Sequence, residues 1–271
     1  MTTLAIDQVR APRPQPLRAA PGIPLGRLVR VELRKMFDTR SGFWLMASIG
    51  MVAVLATFGV IGFTPEGGLS HSAFVRAISV PMSLILPLVA LLSVTSEWSQ
   101  RSGLTTFALV PHRSRVVLAK AVSSVVVGVV AVALVLAVAA LGNLAGAGLT
   151  SSAPVWDASV VEAAHVLLGS VLSLLTGFML GLVVRASSGA IVAFLVYSVL
   201  LPMVFGLAVT QDSWFRDVQP WIDVQAAQGV LLLLQGSPSS EQWSHIAVTG
   251  VIWLVLPMAA GLRLVLRAEI K

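Results

Sequence analysis

The chain has 271 residues, of which 56% are hydrophobic and 11% charged, with a formal net charge of +6. So few charges, against roughly 25% in soluble domains, exclude an ordinary water-soluble core. The absence of cysteine excludes disulfide frameworks and thiolate chemistry; the cations flank apolar stretches, which topology and anionic lipid headgroups explain better than nucleic acid, so no nucleic-acid partner is expected.

Residues 1–22 carry Pro12, Pro14, Pro16 and Pro21 among scattered arginines with no apolar period, which predicts a flexible cytoplasmic tail ahead of one domain over 23–271. Next, Leu25, Leu28, Val29, Leu33, Met36 and Phe37 recur at helical spacing, with Arg27, Arg30, Glu32, Arg34, Lys35 and Asp38 between them. This pattern predicts an amphipathic interfacial helix, its apolar side in lipid and its cations at the headgroups.

A bilayer crossing needs about 20 apolar residues. Six segments meet that standard: Phe43–Phe63, Ala77–Thr95, Ala121–Leu149, Ala163–Val184, Ala186–Val209 and Ile246–Leu262. The expected fold class is all-α, a polytopic membrane protein with six transmembrane helices. The third segment is long enough to require tilt or projection beyond the bilayer, and the last should run on toward Val265. About forty largely polar residues precede the first segment and no small-residue cleavage pattern follows it, so it is expected to remain as a span.

The loop from Glu97 to Arg115 mixes charges with Trp98 and Phe107, which predicts a short structured element ending at Pro111, with Ser114 as N-cap of the next helix. The stretch from Thr210 to His245 contains Trp214, Phe215, Trp221, Trp243 and the apolar run Val230 to Leu234. That run is too short to cross, so it predicts a short re-entrant or interfacial element before the last span.

Sixteen of the 18 Lys and Arg residues fall before the first span, in alternate loops or at the C-terminus; only Arg76 and Arg216 lie on the other side. The positive-inside bias therefore places both termini in the cytoplasm. None of the six interiors contains Asp, Glu, Lys or Arg, which argues against a proton-coupled or sodium-coupled carrier. The polar residues inside them, Ser79, Ser83, Asn143, Ser170, Ser173, Thr176, Tyr197 and Ser198, are expected to bond between helices. The pairs Gly142/Gly146 and Gly177/Gly181 predict close helix packing, which fits contacts within the subunit and also a dimer seam.

No P-loop occurs, and His71, His112, His165 and His245 show no metal-ligand spacing, so catalytic chemistry and metal binding within this chain are not expected. The segment Val31 to Ser41, the loop Glu97–Trp98 through Leu104–Phe107 to Pro111–Arg115, closing at Lys120, and the outer loop with its short apolar run together resemble the membrane-spanning permease subunit of a type-two ABC exporter. The resemblance implies a permease domain over 23–271 in the plasma (inner) membrane. A separate ABC ATPase subunit would hold ATP and Mg. A second permease copy or a related permease, and membrane lipids, would be the other partners.

In that family a cytoplasmic coupling helix seats in the ATPase, a role the resemblance carries to the segment of Glu97, Trp98, Arg101, Thr105, Thr106 and Phe107. The uncharged spans favour an amphiphilic or apolar cargo over a small ion. A non-transporting structural or regulatory membrane subunit, or a passive channel, is the alternative function.

Overall fold

The structure, a computed structural model, describes residues 23–267 apart from 39, 66–67, 100–112 and 235. The predicted tail at 1–22 lies outside the described residues. The helices are α1 (Leu25–Asp38), α2 (Arg40–Phe63), α3 (His71–Ser99), α4 (Arg113–Leu149), α5 (Val160–Val184), α6 (Ser187–Gln211), α7 (Ser213–Ile222), α8 (Val224–Gly229) and α9 (Ser240–Arg267). No strand occurs among the described residues. α2 to α6 and α9 are long and apolar enough to cross a membrane, so the chain is a multi-pass membrane protein.

Each span appears where its charge-free stretch predicts it, but the helices extend further. The fourth, α4, already begins at Arg113 and has 37 residues, about 55 Å at 1.5 Å per residue. Ser114 therefore lies inside the helix rather than capping it. Apolar periodicity locates the part of a helix in hydrocarbon; charged residues, themselves good helix formers, carry it on beyond.

The centre of the bundle is α3, packed on α2, α4, α5 and α6, with its most extensive contact to α5. That contact depends on two glycines. A Cβ on Gly177 would lie 2.0 Å from the Pro87 carbonyl oxygen, and one on Gly181 would lie 2.9 Å from Val94 Cβ. Gly142 and Gly146 admit Phe74 in the same way. Both predicted glycine pairs thus serve packing inside the subunit.

Pro87 has no N–H, so the carbonyl of Ser83 one turn back loses its helical donor. The Ser173 hydroxyl of α5 donates to it instead, at 2.8 Å. Three of the six other span hydroxyls differ from expectation by donating within their own helices, Ser83 to Val80, Thr176 to Leu172 and Ser198 to Phe194, while those of Ser79 and Tyr197 are buried with no partner. A hydroxyl three or four residues along is always within reach of its own turn, whereas a partner helix must present a free acceptor.

α6 and α9 share a feature that the span-by-span reading overlooks. Val196–Leu200 and Val251–Val255 are π-helical, and in each the following leucine N–H reaches back five residues, Leu201 to Val196 and Leu256 to Val251. The sequence repeats there, with Val, then Leu-Pro-Met, then Gly at the same spacing in Val196–Gly206 and Val251–Gly261. Pro202 and Pro257 remove the next helical donors, so a wide turn directly before each proline is where the ladder yields. The rings of Tyr197 and Trp253 meet between the two wide turns, centroids 5.7 Å apart.

Gly177→Ala should destabilise the protein by about 3 kcal/mol, the upper end for overpacking, because the clash is with backbone. Gly59→Ala, with nothing within 4 Å of its added Cβ, should stay within about 0.5 kcal/mol of wild type. Thermal unfolding of both variants in the same detergent checks the contrast.

Candidate functional site

At the end of the bundle that gathers the basic residues, α1 does not simply float with its apolar side outward. Its inward stripe is Val29, Glu32, Leu33 and Met36, at helical spacing. Met36 is buried with Val89 of α3 and Val127 of α4, and Leu33, Leu45 and Met46 close around them. Of the other residues in the predicted stripe, Leu25 and Leu28 are half-buried and Phe37 is exposed.

Glu32, expected among the polar positions, turns into the bundle. Its carboxylate accepts from Lys120 Nζ at 2.5 Å and from Lys35 Nζ at 2.7 Å. Lys120, which reads in the sequence as a topology cation closing a loop, is buried in α4 and also donates to the Ser93 carbonyl of α3 at 2.9 Å. Ser123 adds a hydrogen bond to the Val29 carbonyl at 3.2 Å.

One ammonium group therefore joins α1, α3 and α4. Burial by itself would push the Glu32 carboxyl up, but Lys120, through charge and hydrogen bond, and then Lys35 outweigh it and hold the group below the ordinary glutamate range. Lys120 lies two turns into α4, the helix to which residues 100–112 lead. Glu97 and Trp98 lie in the last turn of α3; Arg101, Thr105, Thr106 and Phe107, with the predicted element ending at Pro111, lie outside the described residues.

At the opposite end, α7 and α8 form a hairpin between α6 and α9. The short element predicted over Val230 to Leu234 is a turn; the helical segments come before it, and the run packs inward through Leu231 and Leu234. Five residues are too few to repay helix nucleation, whereas Ser213–Ile222 is strongly amphipathic and contains Trp214, Phe215, Val218, Trp221 and Ile222.

The hairpin reaches far along the spans. The Trp253 indole N–H donates to the Ile222 carbonyl at 2.8 Å, and Trp253 stands about 20 Å along α9 from Ser240. Asp223, at the hairpin's bend, is buried and accepts from the Gln225 and Ala226 N–H groups and from Gln219 Nε2, each at 3.0 Å. A carboxylate thus sits well inside the bundle although no span sequence contains it. Glu162 ties the returning chain to α5 through the Gly236 N–H, at 3.3 Å.

Three histidines at this end each meet a tryptophan: His71 with Trp156, His165 with Trp243, and His245 with Trp221 at 4.3 Å. Among the described residues no three His, Asp or Glu side chains gather as a metal site. No protein-family model matches the chain, and no curated protein matches it in sequence.

Lys120→Met should cost about 3 kcal/mol, because Glu32 remains buried with only Lys35 opposing its desolvation, whereas Glu32→Met with Lys120→Met should return close to wild type. Because the folded pKa of Glu32 is depressed, the wild-type contribution is present above the ordinary glutamate pKa and is lost as pH falls through the depressed value. Acidification should therefore narrow the gap between Lys120→Met and wild type. Thermal unfolding of the four members of this double-mutant cycle from neutral pH to pH 4 measures both effects.

Proposed function

We propose that the chain is the membrane-spanning permease subunit of an ATP-driven exporter of the type-two ABC class. In this reading it sits in the plasma (inner) membrane with both termini cytoplasmic and forms half of a translocation pathway. A second copy, or a related permease, supplies the other half. A separate ABC ATPase binds ATP and Mg and drives the cycle.

The observation that carries this reading is the junction made by Lys120. Residues 100–112 connect α3 to α4, and one buried ammonium links those two helices to α1. A partner pressing on the loop moves a joined set of helices rather than a slack tether. α1 then lies at the cytoplasmic interface with Arg27, Arg30 and Arg34 toward anionic headgroups.

The α7–α8 hairpin serves as an outer, re-entrant gate in this account. The wide turns and prolines of α6 and α9 flank it, so the outer halves of both helices and the hairpin can move together. ATP hydrolysis is done by the partner, consistent with the lack of a P-loop in this sequence.

Trp98→Ala combined with Phe107→Ala should reduce copurification of a P-loop ATPase in mild detergent at least tenfold, as loss of aromatic anchors does at interfaces, with membrane insertion unchanged. Retention of the ATPase at the wild-type level would remove the coupling assignment. Single cysteines at Ser152 and Ser237 should react with impermeant maleimide only from outside the cell; labelling from the cytoplasm alone would invert the topology.

A further inference from the structure

A cavity of about 470 Å³ opens at the end of the bundle opposite the basic residues, between the α7–α8 hairpin and the start of α9. Its apolar side is made by Pro220, Ala226, Ala227 and Val230 of the hairpin and the turn that follows; Glu241, Gln242 and His245 line it from α9. The lining residues of α9 lie in its first two turns, and Trp221 and Trp243 beside them are partly exposed, so the cavity is near the headgroups rather than at mid-bilayer.

Two N–H groups at this helix start are already taken. Ser239 Oγ accepts from the Gln242 N–H at 3.2 Å and Gln242 Oε1 from the Ser239 N–H at 2.8 Å, a closed capping box that removes donors an anion would use. The Glu241 carboxylate is uncommitted. Its side chain is 75% exposed, and His245 Nε2 stands 3.9 Å away, beyond hydrogen-bond reach. An acidic residue in a first turn is ordinary, and the helix start brings about half a positive charge, which a full carboxylate outweighs. What sets Glu241 apart is the apolar recess it stands over. The segments on this side of the membrane also hold seven acidic residues against Arg76 and Arg216, a field that gathers cations.

We propose that this cavity binds an organic ammonium compound, its charged nitrogen beside the Glu241 carboxylate and its apolar body against Pro220, Ala226 and Val230. The volume lies within the range of about 300 to 1,000 Å³ usual for small-molecule sites. A neutral molecule of the same shape forgoes the charge attraction, and an anion meets the carboxylate. The bound cation bridges the hairpin and α9. The inference does not rest on the exporter reading, since both walls of the cavity belong to this chain.

The test uses the purified full chain in dodecyl maltoside, with benzyltrimethylammonium as probe and saturation-transfer NMR as readout. Saturable binding is expected, with none for benzyl alcohol or phenylmethanesulfonate. Glu241→Gln should weaken it about fivefold, the upper end for an exposed ion pair, and Glu241→Asp should weaken it less. Ala226→Trp, at an exposed lining position, should abolish binding without touching the core. Asp217→Asn, which removes an exposed acid of α7 outside the lining, should leave it unchanged.

Two sources carry such a group, a lipid headgroup and a free amphiphilic amine. Displacement of the probe by dihexanoylphosphatidylcholine and not by dihexanoylphosphatidylglycerol would support the proposal with a lipid as occupant; displacement by neither would support it with a free amine. Displacement by both, equal binding by wild type and Glu241→Gln, equal losses in Glu241→Gln and Asp217→Asn, or no saturable signal would overturn it.

Discussion

The absence of a side chain at Gly177 lets α5 lie against the backbone of α3 at Pro87, and the rest of the bundle is arranged around that contact. In hydrocarbon no water is at hand for a carbonyl that loses its helical donor. Close approach and proline therefore go together: Pro87 frees the Ser83 carbonyl, and only a helix as near as α5 can bring the Ser173 hydroxyl to it. The same closeness fixes where the two ends of α3 stand. One end meets Lys120 at the Ser93 carbonyl; the other is capped by Asp157, which accepts from the Ser72 N–H and hydroxyl at 2.8 and 2.7 Å.

The buried pair of Glu32 and Lys120 contributes direction more than net stability. Desolvation of two ions offsets most of their attraction, and apolar residues of similar volume are often equally stable. An apolar stripe alone, however, would allow α1 several rotations against α2 and α4. A carboxylate that must find one ammonium, beside a Val29 carbonyl that accepts from Ser123, leaves one. Docking of α1 is thereby tied to α3 and α4, the helices that residues 100–112 connect, and in the proposed exporter that connection is where force arrives.

The spans were legible because about twenty consecutive apolar residues have few other uses. The glycine pairs were legible as close contacts because their spacing holds whatever the partner helix is. Glu32 reads as solvated because alternation of charge with apolar residues is usually a solvated face; its position one turn from both Val29 and Met36 is the sign of burial. Lys120 reads as a topology cation although it lies next to the charge-free run of α4, where an ammonium needs a partner. The hairpin drew notice through Val230 to Leu234, yet its helical part is the amphipathic stretch before that run. The repeated Leu-Pro-Met of α6 and α9 was visible throughout and marks the wide turns.

In the proposed exporter the two ends act in sequence, force entering beside Lys120 and the hairpin yielding at the prolines of α6 and α9. The most direct measurement is cross-linking in native membranes from a single cysteine introduced at Ser99 or Ser102 of this thiol-free chain. A covalent adduct with a P-loop ATPase is predicted from those two positions, with none from Ser152 or Ser237. Cross-links to an ATPase from Ser237 alone, or an actively exporting complex that gives no adduct from Ser99 or Ser102, would contradict the account.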